Sequence, residues 1–162
     1  RGEKIVGGVL AIEGAHALAG DLANLKRLSD AGYRMIGLHH FFDNELGGSL
    51  HGVSRKGLSP FGIQAVRAIE EAGLIVDVAH SSAAVVDDVL AISTRPIVVS
   101  HTGVRGACDS PRNLSDDQMR AIAAKGGSKP WPSKQARKRA AKWRSRADSR
   151  PAIASWCAAP SS

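Results

Sequence analysis

Short apolar runs alternate along much of the chain with longer stretches in which apolar residues recur every three or four positions. IVGGVLAI (5–12) has the look of a buried strand. The following ALAGDLANLKRLSDAG (17–32) sets Leu18, Leu22, Leu25 and Leu28 on one helical face, with Gly32 as a stop. YRMIGL (33–38) is a second strand-length run. After a long loop, Ser59 and Pro60 supply an N-cap and a first-turn proline for a helix to about Ala72, closed by Gly73, with Ala65, Val66, Ile69 and Ala72 facing inward. LIVDV (74–78) precedes a helix over 83–92 whose inward residues are Val85, Val86, Val89 and Leu90. PIVVS (96–100) precedes a loop and a helix from Ser115 to about Lys125, with Asp116 and Asp117 where the helix dipole favours acids.

Four strand-then-helix repeats imply parallel strands joined by crossover helices, in an α/β sheet or a (β/α) barrel. An eight-stranded barrel takes about 250 residues. About four β/α units therefore predict either a small open sheet or a partial (β/α)8 TIM-type barrel.

The periodicity stops at Gly127, which sets the expected domain boundary: a β/α part over 1–127 and a tail over 128–162. The chain carries a net charge of +7, which by itself suggests nucleic-acid binding. Its distribution changes that picture, because residues 1–127 have a net charge of −1 and residues 128–162 of +8. The global basicity thus says nothing about a partner of the folded part. The tail holds all three tryptophans and four of the seven prolines, with no apolar period. A segment this polar buries too little surface to offset its ordering entropy, so disorder is expected. KQARKRAAKWRSR within it offers one alternative function, an arm that pairs with phosphates and stacks Trp143 on bases.

Cys108 and Cys157 match no zinc spacing and read as two unpaired thiols. No run approaches the roughly 20 apolar residues that span a bilayer, and RGEKIVGG lacks the apolar core of a signal peptide. Location stays open on these grounds, with the cytoplasm expected if the protein is bacterial and the chain complete.

In parallel α/β folds ligands bind at the carboxyl ends of the strands. There the first strand runs into Glu13, the second into His39 and His40, the third into His80 and the fourth into His101. A carboxylate and several imidazoles converging on one rim form a ligand set suited to zinc, which points to a metallohydrolase. His39 and His40 are adjacent, so their side chains diverge and one of them faces the site. His16 and His51 take no assigned role. Arg105 and Arg112, in the loop after the fourth strand, have the fork geometry that grips a carboxylate.

In their order and intervals, IEGAHAL, RMIGLHHFFDNELGGSLHG, GLSPFG, LIVDVAHSS and PIVVSHTGVRGACDSPRNLSDDQM resemble the zinc-dependent membrane dipeptidase family, over about residues 4–127. The resemblance implies a (β/α)8 barrel with a two-zinc site that hydrolyses dipeptides through a metal-bound water. It also implies roles by position. Glu13 would be the carboxylate bridging the zincs, and His80 and His101 the imidazoles of one zinc. His40 would contact the substrate and its tetrahedral intermediate, and Arg112 would hold the substrate carboxylate, while His39 stands where the family often has threonine.

Two parts of the family pattern have no counterpart. A His-x-Asp pair on the first barrel strand would hold the other zinc, and a late-strand aspartate would handle the proton. The expectation is therefore the middle of a dipeptidase followed by an unrelated tail, as after truncation or a frameshift. Such a chain would hold at most one zinc and would be weakly active or inactive. Its open barrel edges would favour self-association or aggregation. The same ligand set would also suit a metal-dependent amidase on a similar barrel, and without an organised site the chain would be an inert structural remnant.

Overall fold

The structure, a computed structural model, describes residues 7–126. The expectations for the basic tail, its disorder and its nucleic-acid contacts lie outside the described residues. Two compact units divide the chain, one running to His101 and the other beginning at Thr102.

The first unit is built on a three-stranded parallel sheet in the order β1 (Ala11–Glu13), β2 (Met35–Gly37), β3 (Ile75–Asp77). Its register places Ile12, Ile36 and Val76 on one rung and Glu13, Gly37 and Asp77 on the next. The expected fourth strand is reduced to a single parallel bridge between Asp77 and Val98. Val98 donates to the Val76 carbonyl at 2.9 Å and accepts from the Val78 amide at 3.0 Å, and the chain then turns off toward Ser100. The alternating α/β reading thus holds with three strands.

Helix α2 (Pro60–Glu71) starts where Ser59 accepts the Gly62 amide at 2.9 Å, with Pro60 in the first turn. Ala65, Val66 and Ile69 are fully buried, while Ala72, expected inside, is exposed. Helix α3 (Ala83–Ile92) is capped by Ser82, which accepts the Val85 amide at 3.1 Å and donates to the Lys56 carbonyl at 2.8 Å. Three valines are poor helix formers, but burying Val85, Val86 and Val89 contributes about 1.5–3 kcal/mol each and outweighs that propensity. Leu90 is only half-buried.

The first helix departs from its pattern. Residues 15–18 form a 3-10 turn, Ala19 and Gly20 take positive φ of 49° and 72°, and α1 is confined to Ala23–Asp30. Asp21 accepts the Ala23 amide at 2.9 Å and Asn24 donates to the Leu18 carbonyl at 3.0 Å, so local polar groups restart the helix. Leu18 and Leu25 remain buried, one on each side of the break. Val9 and Leu10, expected in a buried strand, are exposed.

In the second unit, Val104 bridges Leu114 across a loop in which Asn113 donates to the Cys108 carbonyl at 2.7 Å. Helix α4 (Asp116–Lys125) opens with a reciprocal capping box between Ser115 and Gln118. Cys108 is disulfide-bonded, which corrects the reading of two unpaired thiols. No helix among the described residues is long and apolar enough to cross a membrane.

Candidate metal centre

Glu13 ends β1, His80 follows β3 and His101 follows the Val98 bridge, so the strand ends bring all three to one place. Glu13 Oε1 lies 3.0 Å from His80 Nε2 and 3.3 Å from His101 Nε2, and the two imidazole nitrogens are 2.8 Å apart. The longest of these is close to the ~3.4 Å edge of a tetrahedron with bonds of 2.0–2.2 Å, as zinc makes with nitrogen and oxygen, and the others are shorter, so the three atoms would spread slightly around an ion. The residues therefore fit that ion. Three protein ligands leave a fourth position, the pattern of catalytic rather than structural zinc sites.

The two imidazoles are held differently. His80 is buried and its backbone takes φ of +62°, a left-handed conformation that costs a non-glycine residue about 1–2 kcal/mol. The loop over 38–58 braces it: Leu50 donates to the His80 carbonyl at 2.8 Å, and the Ser49 hydroxyl lies 2.5 Å from the His40 carbonyl and 3.3 Å from that of His80. Asp43 clasps the same loop, accepting the amides of Ser49 and Ser54 at 2.8 Å each. The Ser54 amide bond is the largest cause holding the Asp43 carboxyl below its ordinary pKa. The His101 imidazole is 47% exposed, and its Nδ1 lies 3.0 Å from the Ser100 hydroxyl.

His40 Nε2 stands 3.7 Å from Glu13 Oε1 at the edge of the cluster, and its ring meets that of His80 at 85°. His39 turns the other way into the core, with Nδ1 3.0 Å from the Ser81 hydroxyl. Among the described residues its Nε2 has no partner in hydrogen-bonding geometry, although the Gly47 backbone is near enough to oppose the fall in its pKa. Burial dominates and lowers that pKa from 6.5 to about 4, so His39 is neutral at physiological pH.

Phe41 and His51 also surround His80, with ring centroids 5.8 and 5.6 Å from it. Neither had an assigned role from sequence, and nothing in spacing alone places them there. Arg112 belongs to the second unit, where its carbonyl accepts from the Thr102 hydroxyl and its amide donates to the Ser110 hydroxyl.

The model of the family "Membrane dipeptidase (Peptidase family M19)" matches residues 2–128. The chain belongs to the membrane dipeptidase family. An uncharacterized dipeptidase of Schizosaccharomyces pombe is 34% identical over 116 residues, covering 70% of this chain and 28% of that protein. Among solved structures, the probable dipeptidase PvdM of Pseudomonas aeruginosa superposes with a TM-score of 0.70 at 35% identity, over 74% of this chain and 32% of that one. A metallo peptidase of Rhodobacter sphaeroides, liganded with a phosphinate mimic of the dipeptide L-Ala-D-Ala, gives a TM-score of 0.63 at 27% identity, over 73% and 35%. This membrane dipeptidase chain thus spans about a third of the length of the relatives it matches.

Proposed function

We propose that the chain is the zinc-holding part of a dipeptidase barrel and binds one zinc through Glu13, His80 and His101. The convergence of Glu13 Oε1, His80 Nε2 and His101 Nε2 within 3.3 Å of one another carries this reading. The three strands, in consecutive parallel order, are compatible with a partial (β/α)8 barrel over residues 1–127.

When bound, zinc would lower the pKa of a water toward neutrality and polarise the scissile carbonyl. The remaining work falls to the chain's own groups. His40, at the edge of the cluster, would hydrogen-bond the oxygen on which charge develops. Arg112 has the fork geometry for the C-terminal carboxylate of a dipeptide, which would set the register of the substrate. Phe41 and His51 add apolar and aromatic walls beside His80.

One cluster of this kind is found among the described residues, and it offers ligands for one zinc. The expected outcome is stoichiometric zinc binding by the 162-residue chain, lost in His80→Ala and His101→Ala, with little or no cleavage of dipeptides. Titration against a chromophoric chelator reads the first. Unaltered zinc binding in both variants would overturn the site, and robust zinc-dependent dipeptide cleavage by the chain alone would overturn the low activity.

A further inference from the structure

His101 is the more exposed of the two imidazoles, and an imidazole binds a metal only through a nitrogen that carries no proton. Which nitrogen is bare depends on what the other one meets. The neighbours of His101 Nδ1 determine the answer here.

Asp77, the buried last residue of β3, accepts three hydrogen bonds. Its Oδ1 takes the amides of Ala79 at 2.9 Å and Ser100 at 3.0 Å, and its Oδ2 takes the Ser100 hydroxyl at 2.5 Å. An ionised carboxylate can only accept, so the one proton of the Ser100 hydroxyl is committed to Asp77. Ser100 Oγ is also 3.0 Å from His101 Nδ1. With its proton spent, that oxygen has only lone pairs to offer, and the contact becomes a hydrogen bond when Nδ1 carries the hydrogen. A neutral His101 then keeps its bare lone pair on Nε2, the atom turned to Glu13 and His80.

We propose that Asp77 and Ser100 are positioning residues that fix His101 in its Nδ1–H tautomer and so present Nε2 to the metal. The proposal rests on the reading of His101 as a zinc ligand. The relay also restrains the half-exposed ring of His101, whereas His80 is fixed by burial and backbone. The sheet supplies the rigidity, since Asp77 is paired with Gly37 on one side and bridged to Val98 on the other.

The two residues make opposite kinds of error when changed. Ser100→Ala removes the acceptor and leaves Nδ1 without guidance. Asp77→Asn reverses the relay. The amide oxygen must stay with the two backbone amides, so its NH2 donates to Ser100, whose hydroxyl proton turns to His101 Nδ1. The ring is then driven to the Nε2–H tautomer, which cannot ligate. Ser100→Thr keeps the hydroxyl and is the conservative rescue.

The experiment uses the metal-free full chain, with histidine ring nitrogens read by long-range 15N–1H correlation, followed by zinc titration of each variant after circular dichroism has confirmed its fold. Expected are a protonated Nδ1 and bare Nε2 at His101 in the parent chain and in Ser100→Thr. Mixed tautomers are expected in Ser100→Ala and the Nε2–H form in Asp77→Asn. Zinc affinity should fall about 10- to 100-fold in Ser100→Ala, the usual effect of losing an outer partner of a ligand, and further in Asp77→Asn. An Nε2–H tautomer in the parent chain overturns the proposal, and this measurement needs no variant to fold. Zinc binding by the parent with equal affinity in folded Ser100→Ala and Asp77→Asn also overturns it. A folded parent chain with the stated tautomer and no zinc binding would instead sink the metal reading and leave the tautomer relay standing.

Discussion

Glu13 Oε1 lies 3.0 Å from His80 Nε2, although Glu13 is half-exposed and His80 is buried. The two should therefore respond differently to substitution. Glu13→Gln keeps the shape and removes the charge and the stronger ligand. Zinc affinity is expected to fall by more than the ~10- to 100-fold seen for outer partners, with the thermal midpoint of the metal-free chain nearly unchanged. Calorimetric titration beside a melting curve separates the two effects.

His39 predicts a stability profile. Its pKa falls from 6.5 to about 4 on folding because burial disfavours the charged ring. The unfolded chain therefore binds more protons between those values, and stability is complete above pH 6.5 and declines as the pH falls toward 4. The drop corresponds to about 3 kcal/mol. Urea denaturation between about pH 4.5 and 7 should show this slope in the parent chain and a flatter one in His39→Gln.

Glu70, at the end of α2, is a clamp. Burial works against its ionisation, but the Thr94 amide and hydroxyl and the Arg95 amide donate to its two oxygens at 2.9–3.3 Å and hold its pKa below the ordinary value. Its contribution is present above the unfolded pKa of about 4.3 and is lost as pH falls through the lower folded value. Glu70→Gln has one accepting oxygen in place of two. A loss of about 1–3 kcal/mol is expected at neutral pH, measured by chemical denaturation.

Gly62 tests packing against propensity. In an open helix, Gly→Ala stabilises by about 1 kcal/mol. Here a Cβ would sit 2.0 Å from the Leu46 carbonyl oxygen, so α2 must move off the loop. Gly62→Ala is expected to destabilise, and an unchanged or raised denaturation midpoint would contradict that close approach.

The legible features were those whose cause is local or strictly periodic. Ser59 with Pro60, and the valines of α3, specify a cap and a buried face that the structure retains. Strand ends likewise place Glu13, His80 and His101 together, because a parallel sheet aligns its carboxyl ends. The break at Ala19 and Gly20 was hidden, since Leu18, Leu22, Leu25 and Leu28 keep a helical spacing across it while Asp21 and Asn24 redirect the chain. PIVVS has strand composition, yet one residue of it pairs with the sheet. Ser100 as a link between Asp77 and His101 depends on hydroxyl direction, and the approach of Phe41 and His51 to His80 depends on loop path. Neither is written in spacing.

The cluster draws its members from positions 13, 80 and 101, which meet only after the sheet has assembled across its crossovers. A zinc finger gathers its ligands from neighbouring residues and can fold around the ion. Here the loops that must close are long, and their closure entropy is met by the sheet and its helices before an ion has anywhere to sit. Zinc arriving so late would leave the refolding rate nearly untouched and would slow unfolding instead, acting as a latch on a finished sheet rather than as its seed.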